Sequence, residues 1–185
     1  MAGKILDAVN KLKGNARALA KKSMKWFYKH LKDNHLKDFS KNAYSNQNDP
    51  IIGGMFHFVY SPKFKDVLPH WDRYPLVIPM EIYNDGFLGL NLHYLPPTLR
   101  AKLLDELLKY KETTKTKETY MNVSYKLLSG VIRSSLFQPC VKRYLSSHIK
   151  SQLIKVAPEY WEDVAFLPTQ DFQKASTATV WGNSK

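Results

Sequence analysis

The chain has 185 residues, enough for one domain with a sizeable core or one domain plus an arm, and its 44% hydrophobic and 13% aromatic content excludes disorder over most of its length. Lys and Arg number 28 against 16 acids, a net charge of +12, which favours a polyanion or an acidic protein surface as partner. The single cysteine, Cys140, excludes an intrachain disulfide and a cysteine-rich zinc site, and no apolar run approaches the ~18–20 residues of a membrane span.

The positive charge is concentrated at the N-terminus, where residues 1–41 carry +8 of the +12. Residues 4–32 read as an amphipathic helix. Ile5, Val9, Leu12, Ala16, Leu19 and Trp26 fall on one face, and Lys11, Lys13, Arg17, Lys21, Lys25 and Lys29 populate the rest. The stripe is narrow and built largely of small residues, so the helix calls for a partner. Lysines interrupt every apolar stretch, so this segment does not read as a secretory signal. It suits an anionic membrane surface, a nucleic-acid backbone or a groove on a protein; packing back on the core is the bland alternative. Residues 33–50 are polar and Asn-rich, ending in Asp49-Pro50, and 42–50 are predicted to be a linker between a 1–41 arm and a 51–185 core.

In the core, Met55–Tyr60 is a predicted strand and Ser61–Pro69, with two prolines, a loop. Leu76–Tyr83 and Phe87–Leu95 form a predicted hairpin around Asn84-Asp85-Gly86. Pro79 inside the first of these demands an edge position or a bulge. Pro96-Pro97 starts a helix with Leu99, Leu103, Leu104, Leu107 and Leu108 inward, through about Tyr110. Residues 111–119 are polar, and a short helix is predicted within Tyr120–Arg133. Pro139 is predicted to open a further helix, with Val141, Tyr144, Leu145, His148 and Ile149 on one face. Leu153–Val156 and Val164–Leu167 read as strands, and Thr169 as the cap of a last helix with Phe172 inward. The order shows no repeat and no regular β-α alternation. The fold class is therefore α+β: a small bent antiparallel sheet with inserted helices behind the basic N-terminal helix, an SH3-like barrel being one version of it.

Motifs for catalysis are sparse. None of the six histidines makes a close His/Cys pair with zinc spacing, and neither phosphate-binding glycine motif is present. No metal and no cofactor are expected. Cys140, at a predicted helix start, has a nucleophile reading with His93 or His148, but a buried structural thiol accounts for it. The densest polar cluster is His70, Trp71, Asp72 and Arg73, with Asn91 and His93 on one face of the returning strand, where alternation suggests that the latter two are exposed together. A metal-dependent nuclease or hydrolase would use Asp72, Glu81 and His93. A proline-braced loop that presents a binding surface is the reading preferred here.

Residues 53–100, GGMFHFVYSPKFKDVLPHWDRYPLVIPMEIYNDGFLGLNLHYLPPTLR, resemble a family of small proteins of contractile-tailed bacteriophages. The distinctive pieces are Leu68-Pro69-His70-Trp71-Asp72-Arg73-Tyr74-Pro75-Leu76 and the run Gly89–Pro97. FQPCVKRYLSSHIKSQLIKVAPEYWEDVAFLP and FQKASTATVW are similar to the same family, so the resemblance covers most of 53–181. It implies a phage origin and a virion role in tail, baseplate or neck, with no catalytic residues to carry over. The expected function is accordingly a non-enzymatic assembly protein, located in the virion and in the host cytoplasm during assembly. It would contact other phage virion proteins through His70, Trp71, Asp72, Arg73, Asn91 and His93. Its arm, Lys11, Lys13, Arg17, Lys21, Lys25, Trp26, Phe27 and Lys29, would dock a neighbour or reach DNA or an acidic protein surface. The alternative is a phage DNA-binding protein that guards or cuts DNA ends.

Overall fold

The hairpin predicted around Asn84-Asp85 forms within the main sheet. In the computed structural model, which describes residues 44–113, 130, 135 and 137–183, Leu76–Tyr83 (β4) pairs antiparallel with Gly86–Asn91 (β5). Asn84 and Asp85 make the turn without positive φ. Gly86 takes the unusual dihedral instead, at φ 155, and a Cβ there would run into the Tyr144 carbonyl oxygen. Pro79 sits at a β-bulge between Pro79 and Glu81, on a strand flanked by neighbours on both sides. The bulge lets a residue without an N–H occupy a central strand.

Six strands form one open antiparallel sheet. Tyr44–Gln47 (β1), Met55–His57 (β2), Val141–Leu145 (β6) and Leu153–Val156 (β7) join the hairpin in the order β1-β7-β2-β4-β5-β6. Trp71–Asp72 (β3) and Phe172–Gln173 (β8) make a separate two-stranded sheet. Helices Pro97–Thr113 (α1), Trp161–Ala165 (α2) and Thr177–Gly182 (α3), with short 3-10 turns, accompany the sheets. The α+β class and the antiparallel sheet agree with the sequence reading; among the described residues the sheet is open, with β1 and β6 as edges, and does not close into a barrel.

Both faces of β4 are buried. Leu76, Ile78 and Met80 enter the larger cluster, with Leu103, Leu104 and Leu107 of α1 and Trp161, Val164 and Val180 of the C-terminal segment. Val77 points the other way, into Phe56, Phe58, Tyr60, Phe87, Tyr144 and Leu153. The rings of Phe58, Tyr60, Phe87 and Tyr144 meet mostly edge-to-face, 4.9–6.2 Å apart.

Four local expectations are corrected. Residues 141–149 form strand β6 and a 3-10 turn, Ser146–His148, rather than a helix, because β5 offers them an unpaired edge. Val164–Leu167 is not a strand; Val164 and Ala165 end helix α2. Ser176, not Thr169, caps the last helix, its side chain accepting from the Thr179 N–H. Part of the predicted linker, Tyr44–Gln47, is an edge strand on β7. The basic arm at 1–41 and the helix placed in 120–133 lie outside the described residues, apart from Gly130.

Candidate nucleic-acid interface

The polar cluster singled out in the sequence divides into an interior network and an exposed rim. Asp72, Asn91 and His93 are buried, His93 and Asn91 completely. The expectation that Asn91 and His93 share an exposed face is therefore wrong. β5 ends at Asn91, whose Oδ1 accepts the His93 N–H at 3.0 Å and turns the chain into a 3-10 segment, Leu92–Tyr94, beneath α1 and α3. Strand alternation stops applying where the strand stops.

Asp72 is the hub of this interior. Its Oδ2 accepts from His93 Nδ1 at 2.6 Å and from Asn91 Nδ2 at 3.2 Å. Its Oδ1 accepts from the backbone N–H of Tyr74 and of Asp171, both at 3.1 Å. Asn91 Nδ2 also donates to the Tyr144 hydroxyl at 3.1 Å. Burial alone would raise the Asp72 pKa, but His93 and these donors outweigh it and hold the carboxyl below its usual range. Burial lowers the His93 pKa further than Asp72 raises it. The contact is a short hydrogen bond from the His93 imidazole to the Asp72 carboxylate. With Nδ1 as donor, Nε2 accepts the Thr169 hydroxyl at 3.2 Å.

Arg100 supplies the compensating positive charge. It is 2% exposed and donates to the carbonyls of Leu95 (2.7 Å), Ala165 (2.9 Å) and His93 (3.3 Å). Burial pulls its pKa down to about 10, so it stays charged at neutral pH. Trp181 donates to the same His93 carbonyl at 2.8 Å and lies under the guanidinium. The Asp72–His93–Thr169 chain has the connectivity of a hydroxyl-activating relay. Asp72 simultaneously ties together β3, β5 and the 169–171 segment, which is the work of an interior brace. Glu81, the third carboxylate-or-imidazole of the hydrolase reading, is exposed on β4, away from this interior. Among the described residues no group of three His, Cys, Asp or Glu could hold a metal ion. Cys140 is buried, donates to the Phe137 carbonyl, and has its thiol pushed up to about 12 by burial.

The exposed residues tell a different story. Arg73 is exposed, and His70 and Trp71 are half-buried, His70 between the rings of Tyr94 and Phe172. Three exposed aromatics each carry a cation: Lys63 lies 5.4 Å from the Phe64 ring, Arg73 5.2 Å from Tyr74, and Arg143 4.3 Å from Tyr83. Arg143 is also paired with Asp85 at the hairpin tip. Basic groups interleaved with aromatic faces are the surface chemistry of single-stranded and terminal nucleic acid. Of the six core residues expected to bind, then, three are interior and Arg73 is on the rim. The arm residues Lys11, Lys13, Arg17, Lys21, Lys25, Trp26, Phe27 and Lys29 lie outside the described residues. The sequence reading missed Lys63, Phe64, Tyr83 and Arg143, although Lys63-Phe64-Lys65 between Pro62 and Pro69 was a readable signal.

Comparison with known families identifies the chain first by class, as a bacteriophage protein. The matching model is that of the phage T4 terminal DNA protecting protein; it covers residues 6–184, and the chain belongs to that family. Comparison with curated proteins and with solved structures gives no significant match. The phage origin implied by 53–181 stands, and the match extends it into the basic N-terminal segment. The structural role in tail, baseplate or neck is corrected. The shared strings mark a family described by protection of terminal DNA, and such strings report ancestry without reporting the place in a particle.

Proposed function

We propose that this protein binds the ends of linear duplex DNA and shields them from exonucleolytic attack. The observation that carries the reading is membership, over residues 6–184, of a family described as terminal DNA protecting. Two features of the chain support it. The net charge of +12 supplies phosphate-neutralising groups, +8 of it within 1–41, and the body adds exposed cation–aromatic pairs.

Protection then acts by occupancy rather than turnover. Cys140, the one thiol, and His93, shared by both catalytic readings, are turned into the interior. The host cytoplasm, where linear DNA meets exonucleases, is the setting that suits this role and the lone free cysteine. The test is digestion of a linear duplex by a processive double-strand exonuclease, with and without the full chain. End degradation should slow in proportion to occupancy, while cutting by an endonuclease at an internal site should not. Affinity should fall with salt at a log–log slope of about −0.9 per phosphate contacted, and removal of residues 1–41 should flatten that slope. Unchanged digestion at saturating protein would refute the proposal.

A further inference from the structure

Among the described residues, the two most exposed large apolar side chains lie together. Phe64 (61% exposed) and Val67 (80%) lie on one turn of chain, with Lys63, Lys65 and Asp66 exposed around them. We propose that this turn, residues 62–68, is a stacking platform that seats Phe64 on the open face of the terminal base pair of duplex DNA, with Lys63 and Lys65 on the flanking phosphates. The inference rests on the DNA-end reading above and names the contact by which an end is distinguished from the rest of the duplex.

Such a contact is required by the chemistry of the target. Phosphates occur all along a duplex, so lysine contacts alone cannot prefer an end. What an end offers and the interior does not is an unstacked base-pair face. A flat aromatic ring held out in water is the matching surface, because any base can stack on it whatever the sequence. Phe64 has cations one residue to either side. Both lysines are exposed, so each is free to reach a phosphate beside the stacked ring. Lys63 already lies 5.4 Å from the ring centroid, a partner for one face of the ring.

The turn is mounted rigidly, which a loop with no task would not need. Val67 and Leu68 N–H groups both donate to the Phe64 carbonyl, at 3.1 and 3.0 Å, and Lys65 N–H donates to Pro62 at 3.3 Å. Pro62 is buried beneath it. At its base, Ser61 N–H donates to the His148 carbonyl, and His148 Nδ1 meets the Ser61 carbonyl at 2.8 Å. From above the C-terminal end, Lys174 Nζ donates to three carbonyls, those of Lys65 (2.7 Å), Asp66 (2.8 Å) and Leu68 (3.2 Å). Lys174 is the only non-glycine among the described residues with positive φ, at 66. An L-residue held there costs free energy that the surrounding structure must offset. Here the strained backbone aims one ammonium at the turn's free carbonyls, and the turn in exchange holds an apolar ring in water. Ordering the ring before binding reduces the entropy lost when a base stacks on it.

The experiment compares binding of the full chain to one plasmid in two forms, closed circular and blunt linear, with a fluorescent adenine analogue in the terminal base pair of a short duplex as a second readout. Phe64→Ala is expected to weaken binding to blunt ends about 5- to 150-fold, to leave binding to the closed circle unchanged, and to abolish the change in terminal-base fluorescence. Phe64→Trp should restore both the end binding and the fluorescence change. Lys63→Ala with Lys65→Ala should reduce the salt slope on ends by roughly 1.8. Phe64 is exposed, so the fold should survive, and a thermal melt checks this.

If the unaltered chain prefers blunt linear DNA and Phe64→Ala keeps that preference, the stacking platform is wrong while the end-binding function stands. Equal losses on circle and ends, or tighter binding to single strands than to blunt duplex, also overturn it. If the unaltered chain binds neither form, the function and the platform fall together.

Discussion

Replacing Asp72 by alanine tests whether one buried carboxylate holds this body together. Four donors point at it: the N–H groups of Tyr74 and Asp171, Asn91 Nδ2 and His93 Nδ1. Leaving a buried donor without an acceptor costs about 1–3 kcal/mol, and water entering the vacated space would recover part of it. Arg100, buried with a net positive charge, would also lose its nearby anion. With four donors affected and part of their cost recovered by water, we expect a loss of about 4 kcal/mol. That is a large share of a native stability of ~5–15 kcal/mol. Asp72→Asn keeps an acceptor for the two backbone N–H groups and lets His93 change tautomer, donating to Thr169 instead; about 2 kcal/mol should be lost. Urea unfolding followed by tryptophan fluorescence gives both numbers. With m near 2 kcal/mol per M, the alanine midpoint should fall by roughly 2 M with m unchanged. Two results would refute the reasoning: an alanine variant within about 1 kcal/mol of the unaltered protein, or asparagine as costly as alanine.

Stability should fall with acid from below about pH 6.5. Burial, aided by His93, lowers the His57 pKa to about 4, and His93 is also lowered. The unfolded chain therefore takes up protons that the folded one refuses, at a cost of up to about 3 kcal/mol from His57 by pH 4. Denaturation midpoints at pH 7.5 and pH 4.5 check this, and His57→Gln should reduce the difference. Gly89→Ala should destabilise by about 1–3 kcal/mol, because a Cβ at this β5 position would overlap Val77 Cγ1 within the packed sheet. Cys140 should resist alkylation in the folded protein and react at once in denaturant; rapid labelling of the native state would contradict its buried, high-pKa environment.

Much of this molecule is written locally. The boundaries of β4 and β7, the start of α1 at Pro97 and the irregularity at Pro79 were readable because each is set by side-chain periodicity or by proline's missing N–H within a few residues. The phage lineage was also legible, in long strings within 53–181, but those strings were silent about role, and reading a particle structure into them was an error. The rest depended on partners far away in sequence. Residues 141–149 carry a helix-like spacing, and became a strand because β5, some 55 residues earlier, had a free edge. Asn91 and His93 alternate like exposed strand residues, and are interior because α1 and α3 cover the segment where the strand ends. Asp72 meets the Asp171 N–H across a separation of 99 residues, and Lys174 reaches the 65–68 carbonyls across more than a hundred. Local pattern specifies which elements form, since its energies act between near neighbours. Which polar groups end in the interior, and which aromatic ring remains in water, is decided only when distant segments pack, because burial is a property of the whole arrangement.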